Sequence, residues 1–264
     1  MNVARIQAVS LTPRDLALLK ELYDKTVLSN QHIMQKFFPN NSKSTLTNRL
    51  SRLESCGLVK KYKVPRLSGV KDLAFSNVAF QITKAGIREL QKRNFDEHLR
   101  DEPVNLHGFT IEHDLLLIDV MDALALKFQG GDLIHGKLLN ENDLPSGVHP
   151  DAVLVLPNGQ GRVAIELELT LKAENRYREL IMRYRLAKAY SQVIYVTAHP
   201  SIGAKIAKVI GAHPKTLGQK FSTGKFYFTN FSDLVRASEK AAITNGHDFL
   251  KGGNVIEECK VRSI

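Results

Sequence analysis

The sequence lacks several features that would place the protein in a familiar class. It has no tryptophan, and its two cysteines, Cys56 and Cys259, lie far apart with no Cys or His beside them at metal-ligand spacing. This pattern argues against both a disulfide framework and a zinc site. No apolar run approaches the ~18 residues of a membrane span, and no basic and apolar leader is present. We therefore expect a cytoplasmic protein with no membrane partner.

Acidic residues are scarce in one part of the chain only. Residues 1–100 hold 18 Lys and Arg against 8 Asp and Glu, whereas residues 101–264 hold 19 of each kind. The formal net charge of +10 therefore comes from the first 100 residues. A basic segment joined to a neutral one is typical of proteins whose amino-terminal part binds a polyanion, most simply nucleic acid. A solubilising surface without a partner is the alternative.

Three helices are predicted near the start of the chain. Thr12 is a good N-cap for the first helix, whose leucines recur at helical spacing. Ser29 begins a second, short helix that a Pro/Asn cluster ends. Ser42 or Ser44 begins a third, which ends at Gly57. The leucines of the third helix also recur at helical spacing, so one of its sides is predicted to be buried.

Two strands and a further helix are predicted after these three helices. The segments 58–64 and 73–83 read as strands on either side of a Pro/Gly turn, and "ITKAGIREL" reads as a helix. The order helix, helix, helix, strand, wing, strand resembles a winged helix-turn-helix domain over residues 11–93. We assign residues 1–95 to this DNA-binding domain.

The third helix supplies the predicted DNA-reading surface of that domain. Its leucines lie on one side and leave a polar side of the kind that enters a major groove. Basic residues of the strands and wing would then meet phosphates or a minor groove. The predicted DNA-binding residues are Lys43, Ser44, Thr47, Asn48, Arg52, Lys60, Lys61, Lys63, Arg66 and Lys71. A plain solvated surface, or a winged helix that binds protein, is the alternative interpretation.

The charge balance changes at residues 96–106, which we predict to be a linker. Helices and strands alternate over residues 107–240, which predicts an α/β domain with a mixed sheet. Residues 241–264 are predicted to be a C-terminal tail, because they give no clear periodic signal. The whole chain is thus predicted to be α+β, with a winged helix-turn-helix domain followed by a mixed-sheet α/β domain.

Three carboxylates interrupt an apolar hairpin predicted at residues 147–170. If the hairpin turns about Gly159, Asp151 lies near Leu167, and Glu166 and Glu168 are its diagonal neighbours on one face of the opposite strand. Such acids repel one another unless a cation neutralises them, and oxygen ligands suit Mg²⁺ or Mn²⁺. An exposed and inert acidic face is the alternative.

The order helix, strand, strand with "PD", strand with "ExE", helix and strand resembles the PD-(D/E)xK nuclease core. The resemblance implies Asp151 and Glu166 as two of its acids, while Glu168 stands where that core carries a lysine. Because the lysine positions or activates the attacking water, its absence implies either an inactive nuclease fold or a variant that uses glutamate. Lys172 would supply a relocated amine. An active enzyme would then use Asp151, Glu166, Glu168 and Lys172 in catalysis, with the three acids as metal ligands.

Both halves together resemble the replication-relaxation family of plasmid and mobile-element proteins. The resemblance rests on "LTPRDLALLKELYDK", "RLSRLESCGLV", an "HDLLLIDVMDAL" helix, a "PDAVL" strand and an "IELELT" strand, in that order over about residues 10 to 200. It implies a DNA-binding accessory of plasmid replication, conjugative mobilisation or transcriptional control.

Two functions stay open at this stage. The first is a homodimeric protein that binds double-stranded DNA sequence-specifically without a cofactor. Its nuclease-like domain would be inactive and would serve dimerisation, or extra DNA contact through a helix bearing Arg176, Arg178, Arg183 and Arg185. The second is a Mg²⁺- or Mn²⁺-dependent nickase or endonuclease targeted by the winged helix. Glu168 in place of lysine favours the first function. A protein-interaction module without a DNA role is a third, weaker possibility.

Overall fold

The computed structural model describes residues 10–65, 77–95, 99–140, 144, 147–157, 161–212 and 223–246. The chain divides into two compact units, Met1–Leu115 and Leu116–Ile264. The predicted wing residues Arg66 and Lys71 lie outside the described residues, as do the predicted turn at Gly159 and the tail beyond residue 246.

The first unit combines helices with a small antiparallel sheet. Its elements are α1 (Pro13–Asp24), β1 (Leu28–Ser29), α2 (Asn30–Phe37), α3 (Lys43–Ser55), β2 (Val59–Lys63), β3 (Val78–Ile82) and α4 (Lys84–Gln91). β3 lies between β1 and β2 and pairs antiparallel with both. This order and pairing is that of a winged helix-turn-helix domain, as predicted. Only β1 was not expected.

Side-chain caps explain where the first three helices begin. The Asp15 backbone N–H donates to the Thr12 hydroxyl at 3.3 Å, and the Thr12 N–H donates to the Asp15 carboxylate at 2.7 Å, which is a reciprocal capping box. Ser29 caps α2, and Ser42 caps α3. The chain leaves α3 through Gly57, whose φ of +70° lies in the left-handed region that favours glycine. These starts and this end confirm the predictions.

The leucines of α1 and α3 form the centre of the first unit's core. Each is at most 3 % exposed: Leu18, Leu19, Leu22, Leu46, Leu50 and Leu53. Full burial of such a side chain contributes about 1.5–3 kcal/mol relative to leaving it in water. The buried stripe of α3 therefore determines which side of that helix faces solvent.

The described part of the predicted linker, residues 99–106, packs on the first unit. Its two leucines are buried. The Gln81 side-chain amide donates to the Val104 carbonyl at 2.6 Å, and the Arg100 backbone N–H donates to the Tyr23 hydroxyl at 2.7 Å. These bonds give the segment a defined place on the surface of this unit.

The second unit is built on one six-stranded sheet. The elements from α5 onwards are α5 (Ile111–Lys127), which crosses the division between the units, β4 (Asp132–His135), β5 (Ala152–Val155), β6 (Arg162–Glu168), α6 (Glu174–Leu186), β7 (Tyr190–Thr197), α7 (Pro200–Ala212), β8 (Phe226–Asn230), α8 (Phe231–Arg236) and β9 (Thr244–Asn245). Among the described residues, no helix has the length and apolarity needed to cross a membrane.

The sheet is mixed, as predicted, with the strand order β4-β5-β6-β7-β8-β9. β4, β5 and β6 pair antiparallel, β6, β7 and β8 pair parallel, and β9 pairs antiparallel with β8 at the edge. α6 and α7 are the crossover connections that parallel strands require. β9 lies within the segment predicted as a tail, so the sheet extends further along the chain than its periodicity indicated.

The hairpin of β5 and β6 brings its acids into the interior of the second unit. Ala152 faces Ile165, so the register is one residue away from the predicted one and Asp151 comes next in line opposite Glu166. Every residue of β6 from Val163 to Glu168 is buried, which means that both faces of the strand are covered. The acids at alternate positions of this strand are therefore held inside the protein.

Candidate functional site

The side of α3 that faces away from the core carries the DNA-reading residues predicted for it. Five of these side chains are exposed: Lys43, Ser44, Thr47, Asn48 and Arg52. The helix contains no acidic residue before Glu54. These five side chains therefore offer hydrogen-bond donors and acceptors and positive charge, and the one carboxylate of the helix, the exposed Glu54, lies near its C-terminal end.

Arg49 lies on the same helix but is engaged in holding the fold. Its Nε donates to Asp15 Oδ1 at 2.8 Å, its Nη2 contacts Asp15 Oδ2, and Nη2 also donates to the Ser10 carbonyl at 3.0 Å. Asp15 is fully buried. Burial alone would raise the pKa of Asp15, but the hydrogen bonds from Arg49 and Thr12 outweigh it, so the pKa lies below its ordinary value. This fork fixes α3 against α1.

The predicted lysines of β2 extend the basic surface beyond α3. Lys60, Lys61 and Lys63 are all exposed. The Lys60 ammonium lies 4.9 Å from the centre of the Tyr62 ring, a cation–π contact. The strand thus presents three exposed positive charges in addition to those of α3.

The predicted catalytic residues of the second unit come together in one cavity of about 380 Å³. Asp151, Glu166, Glu168 and Lys172 all line it. The other lining residues are Gly147, Val148, His149, Arg176, Tyr177, Glu179, Leu180 and Arg183. The cavity therefore has acids at the ends of two strands and basic side chains contributed by the segment that leads into α6 and by α6 itself.

Two backbone features hold Asp151 in this cavity. Its Oδ2 accepts a hydrogen bond from the Leu167 N–H at 2.7 Å, across the hairpin. The Gly136 N–H donates to the Asp151 carbonyl at 2.7 Å. A Cβ at Gly136 would lie 1.9 Å from the Pro150 carbonyl oxygen, so only glycine allows this close approach.

Glu166 is buried next to the other two acids. It is 6 % exposed and Glu168 is 1 % exposed, so the alternative of an exposed acidic face is wrong. The Tyr184 hydroxyl donates to Glu166 Oε1. Burial raises the pKa of Glu166 well above its ordinary value, and the charges of Asp151 and Glu168 add to this, while the bond from Tyr184 and the charge of Lys172 act against it.

Lys172 reaches the cavity from the segment between β6 and α6. Its Nζ lies 2.7 Å from Glu168 Oε1. The Lys172 backbone N–H donates to the Tyr177 hydroxyl at 3.0 Å, which ties this segment to the buried face of α6. The amine thus stands beside Glu168, the acid predicted to stand where a PD-(D/E)xK core carries its lysine.

The carboxylates that line the cavity are suitable metal ligands by their chemistry, but not in their present arrangement. Carboxylate oxygens are the ligands that Mg²⁺ and Mn²⁺ prefer. Across the described ranges, however, no three His, Cys, Asp or Glu side chains are grouped so that they could hold an ion. Asp151 and Glu168 instead contact the Leu167 N–H and the Lys172 amine.

Sequence reasoning did not assign His149, Tyr177, Tyr184 or Arg49 to a site. For Tyr177 and Tyr184 a signal was present, since they lie seven positions apart on α6, with Ile181 between them, and form its buried stripe. Asp15 and Arg49 are 34 positions apart along the chain, so no local sequence pattern indicated their pairing.

Comparison with known proteins gave few matches. Among solved structures, the chain is similar to a protein with a GntR superfamily winged-helix-turn-helix domain from Halomicrobium mukohataei, at 26 % identity and a TM-score of 0.29, over 33 % of this chain and 60 % of that chain. A TM-score this low does not establish a shared fold, and the winged helix rests on the elements described above. A comparison with curated proteins gave no match.

The family comparison covers both units. The sequence model of the replication-relaxation family matches residues 19–193, which is more than half of the 264 residues. The matched range includes α3, the hairpin of β5 and β6, Lys172 and α6. The chain therefore belongs to the replication-relaxation family, as its sequence motifs predicted.

Proposed function

We propose that this protein binds double-stranded DNA sequence-specifically through its winged helix, in the replication, mobilisation or transcriptional control of a plasmid or mobile element. The observation that carries the proposal is the exposed polar and basic side of α3, whose one acid is Glu54 near the C-terminal end, together with the three exposed lysines of β2. Membership in the replication-relaxation family supports a DNA-related function. A cytoplasmic homodimer that reads two half-sites is the assembly that we propose.

The residues of α3 divide into those that read bases and those that fix the helix. Asn48 and Arg52 are four positions apart, so they lie one above the other on the exposed side. Asparagine pairs with adenine and arginine with guanine through two hydrogen bonds each in the major groove. Arg49 is held by Asp15 and acts on DNA only by positioning α3. The lysines of β2 bind phosphates, which adds affinity without sequence preference.

The first experiment selects a binding site from random duplexes with the full-length chain and then measures affinity for that site and for an unrelated duplex. Replacing Asn48 and Arg52 with alanine should weaken specific binding by about 1–3 kcal/mol for each lost base contact. Replacing Lys60, Lys61 and Lys63 with glutamine should weaken binding to both duplexes and reduce the salt dependence by about one unit of slope per lost phosphate contact.

Arg88→Ala is the matched control for the α3 variant. Arg88 is an exposed arginine on α4 of the same unit, and its loss changes the net charge by the same amount as the double variant. We expect this control to keep the preference for the selected site. If the Asn48 and Arg52 variant binds the selected site as tightly as the control does, α3 is not the reading helix.

A second candidate function is a metal-dependent nickase or endonuclease. The contact of 2.7 Å between Lys172 Nζ and Glu168 Oε1 favours it, because an amine stands beside the acids where the resembled nuclease core has its lysine. Mg²⁺ or Mn²⁺ held by Asp151, Glu166 and Glu168 would supply charge stabilisation at the phosphate. Lys172 would then orient groups at the mouth of the cavity, and Asp151 would keep its place through the Leu167 N–H.

Supercoiled plasmid distinguishes the two candidates. The protein is incubated with plasmid in Mg²⁺, in Mn²⁺ and in EDTA, and one gel shows both nicking and mobility shift. Nicking that needs metal and is lost in Asp151→Asn would establish the enzyme, because asparagine still accepts the Leu167 N–H but no longer offers a carboxylate. A mobility shift without nicking in any buffer would leave DNA binding as the activity.

A further inference from the structure

The four arginines of α6 differ in what their side chains contact. The Arg178 guanidinium binds Glu174 Oε1 one turn earlier, at 3.0 Å from Nε. Arg185 donates from Nη2 to the Ile210 carbonyl at 3.0 Å, and burial lowers its pKa. Arg176 and Arg183 are exposed and line the cavity. Within the part of the chain that the structure describes, no side-chain hydrogen bond or ion pair occupies either of these two guanidiniums.

Arg176 and Arg183 stand on one face of the helix. They are seven positions apart, and a seven-residue step drifts only about 20° around an α-helix. At about 1.5 Å of rise per residue, their Cα atoms are separated by roughly 10 Å along the axis. A stacked strand advances about 3.4 Å per nucleotide, so this separation spans about three nucleotides. Two arginines so placed can each take a different phosphate of one strand.

The size of the cavity between these arginines and the acids indicates what kind of DNA fits. Its volume of about 380 Å³ lies near the lower end of the range of about 300–1,000 Å³ for small-ligand pockets. A space of this size admits about one nucleotide, so a base that enters it from the rim must be unpaired, which favours a single strand. Lys172 offsets the charge of Glu168, one of the acids beneath, at 2.7 Å. The exposed arginines thus meet the strand at the rim, outside the buried acids.

We propose that the second unit binds a single strand of DNA, with Arg176 and Arg183 holding two of its backbone phosphates at the rim of the carboxylate cavity. This site is separate from the winged helix and goes beyond the duplex binding proposed above. Arginine suits the role because its planar guanidinium pairs with phosphate oxygens through two hydrogen bonds. Glu179, which also lines the cavity between the two arginines, limits how closely a phosphate approaches the middle of the helix face.

The test uses the full-length chain and a fluorescently labelled oligothymidylate, with binding followed by anisotropy in EDTA over a salt series. The variant Arg176→Gln, Arg183→Gln should lower the affinity about ten-fold or more, since hydrogen bonds to charged groups are worth more than neutral ones. The slope of log affinity against log salt should become shallower by about 1.4, the share of two phosphates of a single strand. Both residues are exposed, so the variant should unfold at the parent's temperature.

The matched control is Arg178→Gln, Lys188→Gln, which removes the same charge from the same region at two exposed positions outside the cavity. It should keep the parent's affinity for the single strand. An equal loss in both double variants would overturn the proposal, because general charge would then explain the binding. The proposal also fails if the parent does not bind the oligothymidylate, or if the Arg176 and Arg183 variant binds it unchanged.

Two further measurements separate this site from the winged helix and from the acids. The Arg176 and Arg183 variant should bind the selected duplex normally, and the Asn48 and Arg52 variant should bind the single strand normally, so each proposal fails by itself. Asp151→Asn should tighten single-strand binding in EDTA, because it removes a negative charge beneath the phosphates and keeps the bond to Leu167. Weaker binding by Asp151→Asn would contradict phosphates at this rim.

Discussion

The two units of this protein bury carboxylates in opposite electrostatic settings. In the first unit, Asp15 is enclosed by the guanidinium of Arg49 and by the groups of Thr12, and these bonds outweigh burial and lower its pKa. In the second unit, Glu166 lies beside Asp151 and Glu168, and burial followed by the charge of Asp151 raises its pKa well above the ordinary value. The neighbours of Asp15 stabilise its charged form, whereas burial and the neighbouring acids of Glu166 destabilise its charged form.

This difference separates a structural acid from the acids of a candidate site. Asp15 caps α1 and anchors α3, so its charge contributes to the fold in the absence of any ligand. The buried charge of Glu166 lowers the stability of the unit that holds it, unless a proton, an amine or a cation offsets the charge of the cluster. Perturbed acids that line a cavity are typical of functional sites, where stability is given up for binding or chemistry.

Asp15→Ala removes the acid whose charge is stabilised by its neighbours, and it should lower the free energy of unfolding more than the other variants do. It leaves the Arg49 guanidinium without its carboxylate and removes half of the capping box. Removing one partner of a buried ion pair costs about 3–5 kcal/mol, so the first unit should unfold at much lower urea concentration at neutral pH. Circular dichroism in urea measures the change, with Asp24→Ala as the control because Asp24 pairs with Lys20 at the surface.

The pH dependence gives the same prediction a second check. Because the pKa of Asp15 is lowered in the folded protein, its contribution to stability is complete above its unfolded-state pKa. This contribution is lost as the pH falls through its folded-state pKa. The gap in stability between the parent and Asp15→Asn should therefore close on acidification. A gap that stays constant with pH would mean that the ion pair with Arg49 contributes little and that packing accounts for the loss.

Lys172→Met sharpens the comparison by taking away the amine that contacts the acid cluster. Glu168 is 1 % exposed, so its charge would stay buried without the ammonium now at 2.7 Å. We expect a loss of about 2 kcal/mol at neutral pH, smaller than for Asp15→Ala because Lys172 is partly exposed to water. The companion variant Lys188→Met removes an exposed lysine that follows the other end of α6. Equal stability of these two variants would show that the amine does not stabilise the cluster.

The sequence predicts the helices of the first unit well because their determinants are local. Thr12, Ser29 and Ser42 cap helices within three residues of themselves, and leucine periodicity then shows the buried side. β1 was missed because a strand of two residues has no period, and its existence depends on pairing with β3, about fifty positions away along the chain. Likewise β9 exists only through its pairing with β8.

The acids of the second unit were predictable, but their surroundings were only partly so. Alternation along β6 already set Glu166 and Glu168 on one face, and the hairpin brought Asp151 to them. Their burial was not predictable, because it depends on how α6 crosses the sheet and covers that face with Tyr177 and Tyr184. The one-residue difference in register was not predictable either, since a hairpin's register follows from its turn geometry rather than from strand composition.

Glu166→Gln removes the acid whose charge is disfavoured by burial and by its neighbours. It should change stability least of the three variants, and it should raise stability rather than lower it. Glutamine keeps an oxygen that accepts the Tyr184 hydroxyl and removes the charge that Asp151 and burial disfavour. Because the folded pKa of Glu166 is raised, its ionisation costs stability as the pH rises from the unfolded value through the folded one. In metal-free buffer at neutral pH the variant should therefore be more stable than the parent by about 1 kcal/mol, and this gain should vanish as the pH falls towards 4.5, the ordinary value.

Thermal unfolding against pH measures both parts, with Glu179→Gln, an exposed acid of the same cavity, as the control. A loss of stability in Glu166→Gln at neutral pH would mean that the cluster already balances its charge, and the two units would then bury their acids in the same way.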